Sequence, residues 1–368
     1  GHPRQVGLDR LPSALRDRLV DTDRTALATQ VLGILQDDYY KPIDAKLVTE
    51  IENISVAALV TKLGDPYTEY LDPEHYKVFT ANRAGKYGGV GVEWRPDGDT
   101  ALIGRVFPEG PAAKAGIRVS DHIVAVDGKK VAKADNYAAM SGVKGDEGTK
   151  VILRISRTGT PERDYPLTRE EIRRPVVESR VELVGKKRVG YIHLDQFTDG
   201  SAKAVRNAVR RFSEEKVSGI VFDLRGDGGG LVDEAVGIMS VFVPDKTLIA
   251  TTKGRNGPRE ELKATGDPVD TAVKLVVLVD QDSASASEIV AGALRDAGRA
   301  KIVGTRTFGK ALIQSTRTLA NGGAIKFTIA SYLTPKGFDL GTRGLPPDVE
   351  VADDPKTKPD EALAKALQ

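Results

Sequence analysis

Val273-Lys-Leu-Val-Val-Leu-Val279, followed after Asp280-Gln281 by Asp282-Ser-Ala-Ser-Ala-Ser-Glu-Ile289, is the stretch whose reading decides the fold. An apolar run of that length reads as a buried strand, the small residues as a corner, and Ser287–Asp296 as a helix. The same alternation extends upstream and downstream. Val189-Gly-Tyr-Ile-His-Leu194 is strand-like, and Ser201 to Phe212 is helical, with Val205, Ala208 and Val209 on one face. Gly219-Ile-Val-Phe-Asp-Leu224 is a second buried strand, Leu231–Val241 a helix, and Lys301–Val303 another strand. Strands alternating with helices predict an α/β core over 169–352 with a largely parallel or mixed sheet and its sites at strand C-termini.

The rest of the 368 residues divides by pattern. Residues 1–85 read as helical. Asp21-Thr22-Asp23 offers N-caps, and Leu27, Val31, Ile34 and Leu35 recur at helical spacing. A second stretch from Asp44 carries Leu47, Ile51, Ala58 and Leu63 and stops at Gly64. Asp65-Pro66-Tyr67 through Asp72-Pro73 reads as a turn-rich connection, and the region as a packing or dimerisation unit through which the chain would form a homo-oligomer. Residues 86–168 instead hold short β-like runs separated by Pro96-Asp97-Gly98, Asp127-Gly128 and Thr158-Gly159, with one helix from Lys133 to Met140. This unit resembles a PDZ domain: Gly88-Gly89-Val90-Gly91-Val92 matches its carboxylate-binding loop, and Gly110–Gly116 and Asp121–Gly128 match its next landmarks. Glycines let successive N–H groups converge on a C-terminal carboxylate while the strand edge pairs with the peptide. Residues 353–368 form a C-terminal tail or helix.

Composition narrows the partners. Lys+Arg 54 against Asp+Glu 52 leaves +2 with no basic block, so nucleic acid is not an expected partner. There is no cysteine, which removes disulfides and thiolate chemistry. No apolar stretch reaches the roughly 18 residues of a membrane span. The start Gly1-His2-Pro3 lacks a methionine and leaves room for a signal or membrane anchor trimmed from upstream.

The chemistry lies at two corners. Ser285 sits where the strand gives way to the helix, and the N–H of Ala286 would face a developing oxyanion at the positive end of that helix. A second donor is expected from Asp223-Leu-Arg-Gly-Asp-Gly-Gly-Gly230, at Gly229 or else Gly230, because glycines let the backbone come close. Lys310, in Gly304-Thr-Arg-Thr-Phe-Gly-Lys-Ala311, is the candidate base. A free lysine titrates near about 10.4, so burial costing its ammonium roughly 4 kcal/mol is needed to populate the amine near neutrality. Phe308, Leu312 and Ile313 are the expected apolar surroundings, and Gln314 would orient the amine through its amide oxygen without adding charge. The bland alternative for Ser283 to Ser287 is a helix start capped by Ser287.

Two coincidental motifs carry no function. Gly304-x-x-x-x-Gly309-Lys310 matches a phosphate loop, but Ala311 replaces the magnesium-binding Ser/Thr, and Ala311 to Tyr332 reads as a hairpin turning at Asn321-Gly-Gly323. Ser141-x-x-Lys144 with Arg157-Thr-Gly159 imitates penicillin-binding enzymes, but with spacing far too short for that fold.

With these residues in hand, the chain resembles the carboxy-terminal processing, or tail-specific, proteases. The resemblance runs from Gly64-Asp-Pro-Tyr-Thr-Glu-Tyr-Leu-Asp-Pro73 through the PDZ landmarks, Asp223-Leu-Arg225, Ser283–Ile289 and Gly304–Lys310 to Tyr332-Leu-Thr-Pro-Lys-Gly337. It implies a crotonase-like α/β protease core, Ser285 as nucleophile, Lys310 as base and Gln314 as third member. It also implies an endopeptidase that holds protein tails with free C-termini on Gly89, Val90, Gly91 and Val92, without cofactor, in the bacterial periplasm or cell envelope rather than the chloroplast lumen. Three departures stand out: Ala311 for a glycine, Gly226-Asp-Gly-Gly-Gly230 for Asn-Asn-Pro-Gly-Gly, and Lys144 for an arginine that senses the peptide. Lysine lacks the bidentate fork, so that sensing is expected to be weaker. The rivals are an inert PDZ scaffold on the protease frame and a crotonase-type acyl-CoA enzyme.

Overall fold

The computed structural model describes residues 13–49, 55–132, 136–255, 260–352 and 360–368. The chain forms two compact units, one from residues up to Phe79 together with Val176–Gln368, the other from Thr80–Pro175.

The larger unit is built on a six-stranded sheet. Lys187–Leu194, Gly219–Asp223, Lys274–Val279, Ala300–Gly304 and Val349–Glu350 run parallel in that order, and Val177–Val184 lies antiparallel at the first edge. Its central strands read as unbroken apolar runs because both faces are buried. Ile220, Phe222, Val277 and Ile302 pack under the helices Ser201–Glu214, Val232–Phe242 and Ala286–Asp296. Val221, Leu278 and Val303 face the other way, onto Ala362 and Ala366 of the C-terminal helix Glu361–Ala366. The parallel strands end together, which brings the loops after Asp223 and Val279 side by side.

A second, antiparallel sheet of this unit was legible in the sequence only as the hairpin from Ala311 to Tyr332. Ala324–Leu333 pairs with Leu312–Thr318 on one side and with Glu69–Leu71 and Leu248–Lys253 on the other, and Glu260–Lys263 extends it. The hairpin turning at Asn321–Gly323 is present, so Lys310 leads into a strand, as the argument against a phosphate loop required.

The N-terminal helices are Ser13–Asp38, Ala45–Thr49, Val56–Lys62 and Pro73–Arg83. Asp21-Thr-Asp23 lies inside the first helix rather than capping it; backbone hydrogen bonding continues through that stretch. Ala28, Val31, Leu32 and Leu35 pack on Leu319, Ile325 and Phe327 of the second sheet. The apolar stripe that suggested a dimer contact is thus buried within its own unit, and Ile51 lies outside the described residues. The supposed turn-rich connection contributes the strand Glu69–Leu71.

The smaller unit is an antiparallel sheet, Val92–Asp97, Thr100–Val106, His122–Val126, Lys150–Arg157 and Thr160–Thr168, with Lys129–Lys130 paired to His122–Val126 and Lys86–Gly89 paired separately to Glu170–Arg173. Its core contains Val90, Ile103, Ile123, Met140, Leu153 and Leu167. The helix expected from Lys133 is described over Asn136–Ser141, residues 133–135 lying outside the described residues, and a short helix Pro111–Lys114 joins it.

Candidate active site

Ser285 immediately precedes the helix Ala286–Asp296 with φ 55° and ψ −114°. A non-glycine residue held in that region is strained and persists only where its surroundings fix it. The neighbouring serines do the fixing. Ser283 Oγ donates to the carbonyl of Leu224 and Ser287 Oγ to that of Asp227, both at 2.8 Å, while the N–H of Ala284 also donates to Asp227 O at 3.0 Å. Ser283 and Ser287 are fully buried, whereas Ser285 is half-exposed. The corner is thereby stitched to the loop after Gly219–Asp223, and the two outer hydroxyls are engaged in holding it.

Glu288, one turn into the helix, is the residue that the sequence reading missed. Its side chain is fully buried, and its two oxygens accept four hydrogen bonds. Oε2 takes the N–H of Ser285 and of Lys310, each at 2.9 Å; Oε1 takes the N–H of Gly309 at 2.8 Å and the hydroxyl of Thr307. A single carboxyl group therefore fixes both segments that carry Ser285 and Lys310. Tyr332, also buried, faces the same two residues from their carbonyl side, with its hydroxyl 3.0 Å from Ser285 O and 2.7 Å from Lys310 O. The signal available in sequence was the acid three residues past the helix cap, the spacing of a capping box; its reach to residues 307–310 is tertiary.

Lys310 is half-buried, with Nζ 4.6 Å from the centroid of the Tyr67 ring. Burial lowers its pKa from the ordinary lysine value and the Lys326 charge adds to this, against opposition from Asp65, Glu288 and Glu69. Of the three expected apolar neighbours, Phe308 does not shelter the amine. Phe308 is 60% exposed, and the aromatic face comes from Tyr67, held by Asp65. Asp65 Oδ1 accepts the N–H of Tyr67 at 3.0 Å, and Oδ2 accepts the hydroxyls of Thr68 and Thr328 at 2.7 Å each. Gly64-Asp-Pro-Tyr67 thus carries a lysine-facing ring. No hydrogen bond joins Lys310 Nζ to Ser285 Oγ or to Gln314. Gln314 follows a bulge in its strand, and its amide nitrogen is buried without a partner.

The two backbone donors differ. Among the described residues, no acceptor meets the N–H of Ala286. Gly229 (φ 93°) presses against the corner: a Cβ there would come within 2.8 Å of Ala286 N and 2.9 Å of Ser285 Cβ, so only glycine fits. Its N–H, however, is donated to Asp227 Oδ1 at 2.8 Å. The N–H of Gly230 has no acceptor among the described residues. The base of this loop is anchored by Arg225, paired with Asp223 (2.6 Å) and Asp360 (2.8 Å), while Tyr191 donates to Asp223 at 2.8 Å.

In the smaller unit, the carbonyls of Val90 and Gly91 accept from Ala112 and Phe107 at 2.9 Å each. No acceptor meets the N–H groups of Val90 and Gly91 among the described residues. Gly88 lies so close to Gly145 that a Cβ would sit 2.0 Å from its carbonyl oxygen. Lys144, beside that contact, places Nζ 5.2 Å from the centroid of the Tyr87 ring.

Residues 188–351 match Peptidase family S41, and residues 88–163 match the PDZ domain family. A probable CtpA-like serine protease of Staphylococcus aureus (strain COL) is 35% identical over 329 residues, 89% of this chain and 64% of the relative. A protein of Staphylococcus haemolyticus (strain JCSC1435) with the same description is 35% identical over 86% of this chain and 63% of its own length. The chain therefore spans a little under two thirds of these relatives. Among solved structures, the photosystem II D1 C-terminal processing protease aligns with a TM-score of 0.58 and 30% identity, over 93% of this chain and 96% of that one. A putative S41 protease from Bacteroides fragilis NCTC 9343 shares the fold with a TM-score of 0.57 at 17% identity, over 88% and 90% of the two chains. With a serine and a lysine brought to one carboxyl group in the matched core, a PDZ match before it and a likeness extending over nearly the whole chain, this chain belongs to peptidase family S41.

Proposed function

We propose that the protein is a serine endopeptidase that acts through Ser285 and Lys310 and recognises the C-terminal tails of protein substrates with its PDZ domain. The observation that carries the reading is the shared Glu288 carboxyl group, which binds the backbone of both residues at once. Neutral Lys310 takes the Ser285 hydroxyl proton as Oγ bonds to the scissile carbonyl carbon. Negative charge collects on the carbonyl oxygen, met by the N–H of Ala286 and by one donor from the pair Gly229-Gly230. The C–N bond breaks as Lys310 returns the proton to the leaving amine. Water, deprotonated by the same amine, releases the acyl group from Ser285.

Burial favours the neutral amine, while the Tyr67 ring holds the ammonium in a resting position until substrate arrives. Gln314, freed to turn, would orient the amine once Lys310 leaves that ring. In the PDZ domain, a substrate carboxylate would lie on the N–H groups of Gly89 to Val92, near Lys144, with the tail added as a strand. A periplasmic or cell-envelope location suits a protease of unfolded tails. The competing reading, an inert PDZ scaffold, draws on the missing Ser285–Lys310 hydrogen bond. Incubation with casein decides between them: cleavage lost in Ser285→Ala and in Lys310→Ala is the expected result. Cleavage that survives both changes places the chemistry elsewhere, and none from the unaltered protein supports the scaffold.

A further inference from the structure

Asp227 lies in the loop behind Ser285, and its side chain is fully buried. Its Oδ1 accepts the N–H of Gly229 at 2.8 Å. Its backbone carbonyl takes the N–H of Ala284 and the hydroxyl of Ser287, so the residue backs directly onto the Ser285 corner. Oδ2 is buried with no hydrogen-bond partner among the described residues. A buried carboxylate oxygen with no donor carries uncompensated charge, which costs more than the neutral acid, whose single O–H needs only one acceptor.

The surrounding charges do not supply the missing donor. From the strand Lys187–Leu194 and the residues after it come His193, which favours the anion, and Asp195, which opposes it. His193 is itself bound through Nε2 to Asp195 Oδ1 at 2.9 Å. The helix Ala286–Asp296 contributes the Ser287 hydroxyl and Glu288, which is filled by its own four donors. Asp280 is bound to the N–H of Gly226, and Arg225 to Asp223 and Asp360. Burial outweighs the rest and pushes the Asp227 carboxyl up to about 8.

We propose that Asp227 is the positioning residue of the oxyanion loop, and that its carboxyl group must be neutral for Ser285 to acylate. Two effects act in one direction. An ionised Asp227 holds the Gly229 N–H in a charge-assisted bond and keeps it from a substrate carbonyl. It also places a negative charge, in a site closed to water, beside the point where the oxyanion forms. Protonation weakens the first and removes the second. The proposal rests on the peptidase reading of Ser285 and Lys310. It adds a descending alkaline limb to the ascending limb that the lysine amine imposes.

The test is casein hydrolysis from pH 6 to 10 by the unaltered protein and by Asp227→Asn, with Ser285→Ala as the blank. A group titrating near 8 is about ten times less protonated at pH 9 than at pH 7. The ratio of kcat/KM at pH 9 to that at pH 7 should therefore be about tenfold higher in Asp227→Asn than in the unaltered protein; ratios within about twofold overturn the proposal. Cleavage that persists in Ser285→Ala would sink the peptidase reading instead, and with it the catalytic half of the proposal. The titration itself is read without activity, by comparing unfolding midpoints of Ser285→Ala and Ser285→Ala/Asp227→Asn from pH 4 to 9. A carboxyl group protonated in the fold and ionised when unfolded stabilises most at low pH and loses that contribution as pH rises towards 8. The aspartate form should fall behind by roughly 5 °C or more across that range; parallel midpoints overturn the proposal.

Discussion

Replacing Glu288 by glutamine removes no volume but reverses the polarity of one side of the clamp. The two oxygens of Glu288 face the N–H groups of Ser285 and Lys310 on one side, and the N–H of Gly309 with the Thr307 hydroxyl on the other. A glutamine must turn its NH2 towards one of these pairs. The costlier choice opposes two backbone donors. In the cheaper one, the Thr307 hydroxyl, which already accepts the N–H of Leu345, accepts a second bond and must turn its proton to another acceptor, and the N–H of Gly309 is left without a partner. A buried unsatisfied donor costs about 1–3 kcal/mol, and exchanging charge-assisted for neutral bonds adds about 1 kcal/mol. The total, about 2–4 kcal/mol, falls on the arrangement that aligns Ser285 with Lys310, not on peptide capture. Glu288→Gln should therefore lower kcat by about 30- to 1000-fold and leave KM within about threefold. The assay is steady-state cleavage of a peptide carrying a free C-terminus, with the unfolding midpoint recorded alongside. A kcat within about threefold of the unaltered protein would refute the clamp, and a protein that no longer folds would show the residue's role to be packing.

Tyr67→Leu keeps the Lys310 pocket apolar but removes the π face, worth about 0.5–1 kcal/mol to the ammonium. The lysine should deprotonate more readily, so the ascending limb of the pH–rate profile moves to lower pH by roughly half a unit. A limb that stays in place, or moves upward, denies the ring its hold on the charge. Lys144→Ala should reduce the preference for a substrate with a free carboxyl terminus over its amidated form by less than about tenfold, as befits a point charge rather than a fork. An unchanged preference removes Lys144 from tail sensing.

Read as a sequence, the chain shows its proposed catalytic groups because their motifs are local. The corner Ser283–Ile289 and the turn before Lys310 are short patterns in which the nucleophile and base types, the glycines and the following helix or hairpin can all be recognised in place. Strand and helix periods change visibly near residues 86 and 188, but the N-terminal helices, which read as a region of their own, join the residues from Val176 on in one compact unit. Long-range pairing was not legible. Nothing near Glu69–Leu71 signals that it joins a strand more than 250 residues away, or that Asp65 sets Tyr67 under Lys310. Phe308 looked like the lysine's shelter and is mostly exposed, because a turn's neighbours in sequence point wherever the turn directs them. Glu288 and Asp227 carry the same lesson. Each is an ordinary acid in a short motif, and only the closing of several loops over buried oxygens makes one a clamp with every lone pair engaged and the other a carboxyl group with an unfilled side. Sequence settles which groups a chain possesses; burial and the count of donors around each, which depend on the whole fold, decide the charge they carry and what they hold.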